Sequence, residues 1–355
     1  MKSVTTYAVT VIAFMALLIT GCAAPTTQLP QVDQTLLGEE EQKQRKIALK
    51  SRVDMENKLA HISYPLLRAA IPFCKGKEEP HAGFNVWNRD LFPEDYRYAA
   101  ESVFGVTDEL IVSYVHVESP AHHAGVLAGD RVIAVDGQSV PTGEDAVEEF
   151  NELLSKKLKP GSVAKLTLQS SDKLKEIEIT PDSLCDYEVL LREKDTVNAL
   201  ADGRRIVVFR GMMRFVESDQ ELSLVVAHEI AHNAMGHIDS KISNALFGAF
   251  VDIVAATSGV YTLGAVGALA SLTYSPEFEE EADYTGLYIM ARAGLEVEGA
   301  ASFWRKVAVE HPQSIKFSHF STHPATPKRF LAMERVIEEI KNKIDNQKPL
   351  LPNLK

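Results

Sequence analysis

Residues 221–237 read ELSLVVAHEIAHNAMGH and contain the pattern HEIAH at positions 228–232. Histidines four residues apart lie one above the other on one face of an α-helix, because that helix has 3.6 residues per turn. His228 and His232 can therefore reach a single metal ion, with Glu229 beside them. Ser218 followed by Glu221 forms a capping-box pattern that predicts the start of the helix. The stretch predicts a rigid helix with a zinc-hydrolase arrangement, and the alternative is a pair of histidines that face a core without metal.

Length and charge restrict the class of protein. The chain has 355 residues, of which 45% are hydrophobic, so we expect two folded units plus extensions. The formal net charge is −12, and no basic tract interrupts it. Such a chain attracts neither nucleic acid nor anionic lipid by charge, so no nucleic-acid partner is expected.

The N-terminal segment has the organisation of an export signal. An apolar run at 7–19 is followed by Ile-Thr-Gly-Cys at 19–22, which resembles the lipobox of bacterial lipoproteins. The resemblance implies cleavage before Cys22 and lipid attachment to that residue. A transmembrane anchor is the alternative, but about 13 apolar residues fall short of the roughly 20 that span a bilayer. Ala23 resembles the pattern sorted to the outer membrane, so we expect a lipid anchor at its periplasmic face.

A second pattern lies between 103 and about 180. Ser-Pro-Ala at 119–121, Leu-Ala-Gly-Asp-Arg-Val-Ile at 127–133 and Val-Asp-Gly at 135–137 together resemble a bacterial PDZ domain. The resemblance implies that the loop Phe104-Gly105-Val106 receives a peptide C-terminus and that the following strand offers its edge for strand addition. A β-rich spacer that binds nothing is the alternative.

A further helix and a loop complete the metal site. The helix opens with Ser-Pro at 275–276 and carries Glu-Glu-Glu-Ala-Asp at 279–283, and THPATPKRF follows at 322–330. HExxH, ExxAD and THPxxxxR together resemble metallopeptidase family forty-eight. The resemblance implies one zinc ion per chain, with Glu229 as the base, Asp283 as a partner of a ligand histidine and three ligands: His228, His232 and Glu279. Glu280 and Glu281 are alternative candidates for the third ligand, and the ExxAD register favours Glu279.

Three more residues are assigned to the surroundings of the metal site. His323 can donate a hydrogen bond to a developing oxyanion or bind the metal itself and exclude water, and the alternative is a histidine bonded to a nearby carbonyl. Arg329 can steady this loop through a carboxylate. His237 does not fit the metzincin spacing, so we expect it to be structural.

Three other segments bear on the architecture. The β-branched run at 205–210 predicts a strand that can hold an extended substrate. The apolar stretch at 245–273 is interpreted as a buried or substrate-covering helical hairpin, with a membrane-touching lid as the alternative. Cys74 and Cys185 are expected to form a disulfide in an oxidising, exported compartment.

The sequence thus predicts an α+β protein whose catalytic domain is a mainly helical, gluzincin-like zincin. The predicted function is cleavage of misfolded or specific envelope proteins by a metal-activated water. The alternative is a chaperone or assembly factor for outer-membrane proteins with a restrained metal site. The expected organisation is a signal peptide at 1–21, a tether at 22–37, a helical segment at 38–102, a PDZ domain at 103–182 and a metallopeptidase domain at 185–345.

Overall fold

The computed structural model describes residues 27, 30–74, 76–171, 173–240, 274–312, 323 and 325–353. The predicted signal peptide, Cys22 and the apolar stretch at 245–273 lie outside the described residues. No helix in the described part of the chain combines the length and the apolar character needed to cross a bilayer. The chain divides into a small unit that ends at Gln44 and a large unit, Arg45–Lys355. The small unit contains the first turns of the longest described helix.

The described residues form both helices and strands, so the predicted α+β class is confirmed. The helices are α1 Gln34–Ala69, α2 Glu94–Phe104, α3 Pro120–His123, α4 Ala146–Lys157, α5 Arg210–Phe215, α6 Asp219–Ala234, α7 Pro276–Arg292, α8 Ala300–Glu310 and α9 Pro327–Asp345. The strands are β1 Glu78–His81, β2 Phe84–Trp87, β3 Ile111–Val115, β4 Arg131–Val135, β5 Gln138–Ser139, β6 Ala164–Ser170, β7 Lys173–Ile179, β8 Asp182–Cys185, β9 Glu188–Arg192, β10 Ala199–Ala201 and β11 Arg205–Phe209.

The largest apolar core joins the second half of α1 to helices α6 to α9 and to a three-stranded sheet of order β10-β11-β9. Helices α6 and α7 approach closely at Gly286, where an added Cβ would lie 3.2 Å from the backbone of Ala227 and His228. A larger side chain would push the helices apart. The glycine therefore lets acidic residues of α7 reach the histidines of α6.

A second core belongs to an antiparallel sheet of order β2-β3-β4-β6-β7, covered by α4. This sheet begins at Phe84, ahead of the segment whose sequence indicated it. Strand β3 lies between β2 and β4. The predicted free edge on the strand that follows Phe104-Gly105-Val106 is therefore wrong, because β2 already pairs there.

The loop Phe104-Gly105-Val106 has a structural explanation. Gly105 has φ 67° and ends α2 in the left-handed conformation that favours glycine. Val106 is 2% exposed and packs with Leu49 and Val53 of α1. In this position the loop closes a small core, and the strand that follows it is paired on both sides.

A disulfide joins Cys74 to Cys185, whose Cα atoms are 5.8 Å apart. Cys185 ends β8, which pairs antiparallel with β1 four residues after Cys74. The bond thus joins the segment before the PDZ-like sheet to the segment after it.

Loss of this disulfide should strongly destabilise the protein. The bond closes a loop with a sequence separation of 111 residues, and the chain-entropy model assigns such a loop roughly 4 to 5 kcal/mol. Urea unfolding of the Cys74→Ala/Cys185→Ala protein should give a free energy of unfolding lower by about that amount. Thiol reduction of the wild-type protein is the matched control, and equal stabilities with and without the bond would contradict the prediction.

The buried His116 should make the fold acid-sensitive. Burial and the neighbouring His81 lower the pKa of His116 to about 3. A histidine in the unfolded chain has a pKa of about 6.5, so the unfolded state binds this proton first and stability falls as the pH drops below that value. Because of this residue, we expect the free energy of unfolding to be lower by about 2 kcal/mol at pH 5 than at pH 8. His116→Phe keeps an aromatic ring against Tyr64 and should lack this loss of stability in urea titrations. Equal losses of unfolding free energy in both proteins would contradict the assignment of the acid sensitivity to His116.

Candidate metal centre

Helix α6 brings its two histidines to a buried position. The Ser218 hydroxyl accepts a hydrogen bond from the Glu221 backbone N–H at 3.2 Å, while the Glu221 carboxylate accepts one from the backbone N–H of Glu217 at 2.7 Å. The helix that starts there buries every residue from Leu222 to Ala234. His228 is 2% exposed and His232 is fully buried. Their Nε2 atoms lie 3.1 Å apart, as the helical spacing predicts.

Helix α7 supplies the carboxylate. Glu279 is fully buried, with Oε2 3.5 Å from His228 Nε2 and Oε1 3.4 Å from His232 Nε2. Glu280 instead pairs with Lys328 at 2.8 Å, and Glu281 pairs with His237 at 2.9 Å. Of the three consecutive glutamates, Glu279 is the one placed with both histidines.

His323 joins the same cluster. Its Nδ1 lies 3.3 Å from His228 Nε2 and 3.0 Å from Glu279 Oε1. Its Nε2 lies 3.4 Å from Glu229 Oε1. Ligand atoms of His228, His232, Glu279 and His323 all lie within 4.8 Å of one another.

The donor set fits zinc. Two imidazole nitrogens and a carboxylate are ligands that catalytic zinc sites use, and a fourth position is then left for water or substrate. Burial lowers the pKa of His232 well below its ordinary value, whereas, against the effect of burial, the carboxylates of Asp283 and Glu279 raise the pKa of His228 to about 10. A bound metal ion would hold both imidazoles in the neutral form. Within the described part of the chain, the buried Oε2 of Glu229 has no hydrogen-bond partner. His228, His232 and Glu279 would hold the ion, with Glu229 next to the fourth position.

Charged side chains behind the ligands hold them in place. Asp283 Oδ1 lies 3.0 Å from His228 Nδ1. Arg329 donates to both Asp283 oxygens, at 2.7 and 2.8 Å, and its Nη1 lies 2.8 Å from Glu279 Oε2. Burial alone would raise the pKa of Glu279, but the charges of His323 and Arg329 hold it well below its ordinary value. Arg329 therefore contacts two buried carboxylates, one more than the sequence suggested.

Two more side chains lie against this cluster, of which the sequence named His237 only as structural and did not indicate Tyr274. His237 is 1% exposed, and its Nδ1 lies 3.0 Å from Nδ1 of His232. Tyr274 stacks on His232 with ring centroids 4.0 Å apart. Gly236, with φ 71°, turns the chain after α6 so that His237 points back at the helix. A glycine and a histidine directly after an HExxH helix were the available signal for His237, whereas no local pattern pointed to Tyr274.

A cleft of about 380 Å³ opens on this cluster. Its walls include Asn198, Ala199, Glu229 and His323. Ala199 belongs to β10, an edge strand of its sheet, whereas β11 lies in the middle. The strand predicted to hold an extended substrate is therefore the wrong one, because β11 is paired on both sides, whereas β10 has a side without a strand partner among the described residues.

Comparisons with known proteins agree with this geometry. Residues 168–337 match the family model for peptidase family M48. The chain carries a peptidase family M48 domain. Residues 111–166 match a PDZ domain, so the predicted resemblances to the metallopeptidase family and to a PDZ domain are confirmed.

Three curated proteins are similar to this chain. The mitochondrial metalloendopeptidase OMA1 of Arabidopsis thaliana is 32% identical over 43% of this chain and 32% of its own length. The metalloprotease LoiP of Escherichia coli is 29% identical over 41% of this chain and 59% of its own length. A putative beta-barrel assembly-enhancing protease of Vibrio cholerae is 27% identical over 36% of this chain and 29% of its own length. The match thus spans less than two thirds of each relative.

The ligand assignment can be tested by metal content. We expect the purified protein to hold about one zinc ion and Glu279→Ala to lose most of it, because a two-histidine site retains only part of the ligand set. Glu280→Ala is the matched control, since its carboxylate pairs with Lys328. Zinc is measured by atomic absorption after dialysis. Retention of zinc in Glu279→Ala together with its loss in Glu280→Ala would contradict the assignment of Glu279 as the third ligand.

Proposed function

We propose that this protein is a zinc-dependent endopeptidase of the bacterial cell envelope. The observation that carries the proposal is the convergence of His228, His232 and Glu279 beside Glu229, on a cleft bordered by β10, which ends its sheet within the described part of the chain. An extended peptide that adds to this edge would run past the cluster. The named metalloendopeptidase and metalloprotease relatives support the same reaction class.

A small number of residues have roles in the proposed reaction. When bound, zinc supplies Lewis acidity and a water whose pKa falls to about 7. Glu229 takes the proton of the attacking water and delivers it to the leaving amide nitrogen. Burial raises the pKa of Glu229, which suits a group that must accept and release a proton near neutral pH. Asp283 and Arg329 keep His228 and Glu279 in place during this cycle.

The envelope location rests on the N-terminal sequence. Ile-Thr-Gly-Cys at 19–22 supports lipid attachment at Cys22 and a position at the periplasmic face of the outer membrane. The pairing of Cys74 with Cys185 suits an oxidising compartment. Misfolded or specific envelope proteins are the proposed substrates, in a role in protein quality control.

The PDZ domain is proposed to bind peptide at a different edge from the one the sequence indicated. Strand β2 ends its sheet, so its outer edge can accept an added strand. A cavity of about 480 Å³ lies there, lined by Phe84 and Asn85 of β2 and by Leu154 and Ser155 of α4. A peptide C-terminus held there would keep a substrate on the enzyme while the cleft acts on another part of it.

Hydrolysis of an unfolded protein tests the endopeptidase proposal. The zinc-loaded protein should cleave unfolded casein into peptides that mass spectrometry can map. A chelator should stop cleavage, and added zinc should restore it. Zinc-loaded protein that cleaves neither unfolded nor folded envelope proteins would reject the proposed activity.

One observation favours a second candidate, a chaperone or assembly factor for outer-membrane proteins. His323 Nδ1 lies within 3.3 Å of His228 Nε2 and 3.0 Å of Glu279 Oε1, where a fourth ligand would restrain the metal. The Vibrio cholerae relative is named for beta-barrel assembly, which is compatible with such a role. The two candidates differ in whether the cellular role needs Glu229.

A further inference from the structure

His237 lies behind one ligand of the metal centre and bonds at both ring nitrogens. Its Nδ1 lies 3.0 Å from His232 Nδ1, and its Nε2 lies 2.9 Å from Oε2 of Glu281. Phe278 stacks on the His237 ring with centroids 4.7 Å apart and an interplanar angle of 25°. The ring is therefore held by a contact on each nitrogen and by an aromatic face.

The chemistry of a ligand histidine fixes where the protons are. His232 directs Nε2 at Glu279 and His228, so Nε2 must offer a lone pair to the metal and Nδ1 must carry the proton. Nδ1 of His232 then donates to Nδ1 of His237, which accepts. The proton of His237 consequently sits on Nε2 and is donated to Glu281. Each contact in the row has one donor and one acceptor only in this arrangement.

The two metal-facing histidines are thus supported in different ways. His228 contacts a carboxylate directly, since Asp283 Oδ1 lies 3.0 Å from its Nδ1. His232 has His237 at the equivalent nitrogen, and the carboxylate of Glu281 follows one residue further out. Partners of this kind orient a ligand ring and increase its basicity.

We propose that His237 and Glu281 are positioning residues that orient His232 for zinc binding. The inference rests on the proposed zinc site and adds a requirement for two residues that are not ligands. His237 is outside the described cluster of four side chains that can surround one ion. Glu281 has a side chain that is 47% exposed, so it can be replaced without opening a cavity. Because its carboxylate contacts His237 and not the metal ligands, Glu281 acts through His237.

The test is the zinc affinity of the full-length protein, measured by competition with a chromophoric chelator. Loss of such partners typically weakens metal affinity by about 10-fold to 100-fold, and we expect this for His237→Ala. His237→Gln should recover most of the affinity, because its side-chain carbonyl can accept the proton of His232 Nδ1. Glu281→Ala should weaken binding in the same direction, and Glu280→Ala is the matched control that should not.

Cobalt substitution provides a second measurement. The visible bands of the Co²⁺ protein report ligand geometry, so they should shift in His237→Ala and return in His237→Gln. Wild-type affinity and spectrum in both His237→Ala and Glu281→Ala would overturn the proposal, as would an affinity in His237→Gln as low as in His237→Ala. Failure of the wild-type protein to bind zinc or cobalt would instead reject the underlying metal site. Glu281→Ala keeps the test decisive if His237→Ala does not fold.

Discussion

Peptide hydrolysis should fall by about 100-fold to 10,000-fold in Glu229→Gln, while the zinc content stays at the wild-type value. Gln has nearly the shape of Glu but cannot take a proton from the attacking water. Glu229 is 1% exposed, and its Oε2 has no hydrogen-bond partner among the described residues, so this oxygen is available for the proposed role of base beside the metal site. The measurement is casein hydrolysis at equal protein and zinc concentrations.

The same variant separates the two candidate functions in cells. A protease loses its cellular role with Glu229→Gln, and the variant should accumulate bound substrates that can be identified by mass spectrometry. An assembly factor with a restrained metal site keeps its role. Glu281→Ala is not a suitable control here, because it is expected to weaken zinc binding, whereas Glu280→Ala leaves the centre intact. Wild-type hydrolysis in Glu229→Gln would reject Glu229 as the base.

The parts of the centre that the sequence predicted are those that depend on local spacing. His228 and His232 lie four residues apart on α6, so the helix alone brings their Nε2 atoms to 3.1 Å. Glu279 and Asp283 have the same spacing on α7, which explains why one reaches both histidines and the other backs His228. Within each helix, periodicity was enough.

Contacts between distant segments could not be derived in this way. Arg329 bonds Asp283 across 46 residues of sequence, and only the packing of α9 on α7 brings them together. Strand β2 pairs with β3 although a helix and a loop separate them, so the sheet edge was assigned to the wrong strand. Short β10 was not predicted, because three residues carry too little pattern to indicate a strand. Tertiary packing decided each of these positions.

If His323 is a ligand that restrains the metal, His323→Ala should raise peptide hydrolysis by about 10-fold to 100-fold, because the imidazole would otherwise take the position that the attacking water needs. Its Nδ1 lies 3.0 Å from Glu279 Oε1 and 3.3 Å from His228 Nε2, among the ligand atoms. If the open arrangement is a minor state of about 1% to 10%, removal of the side chain makes that state dominant and raises turnover by the inverse of its population.

The opposite sign would identify a different role for the same residue. A histidine that donates to the developing oxyanion would lower hydrolysis by about 100-fold or more when replaced, since removal of one such donor has that effect in other hydrolases. Zinc affinity distinguishes the two further, because a metal-binding His323 adds a ligand and its loss should weaken zinc retention, whereas loss of an oxyanion donor should not. His323→Gln is the matched variant, because its amide can still donate a hydrogen bond but is a poor zinc ligand. Fast hydrolysis in both variants would support the restraining role, and slow hydrolysis in His323→Ala with recovery in His323→Gln would contradict it.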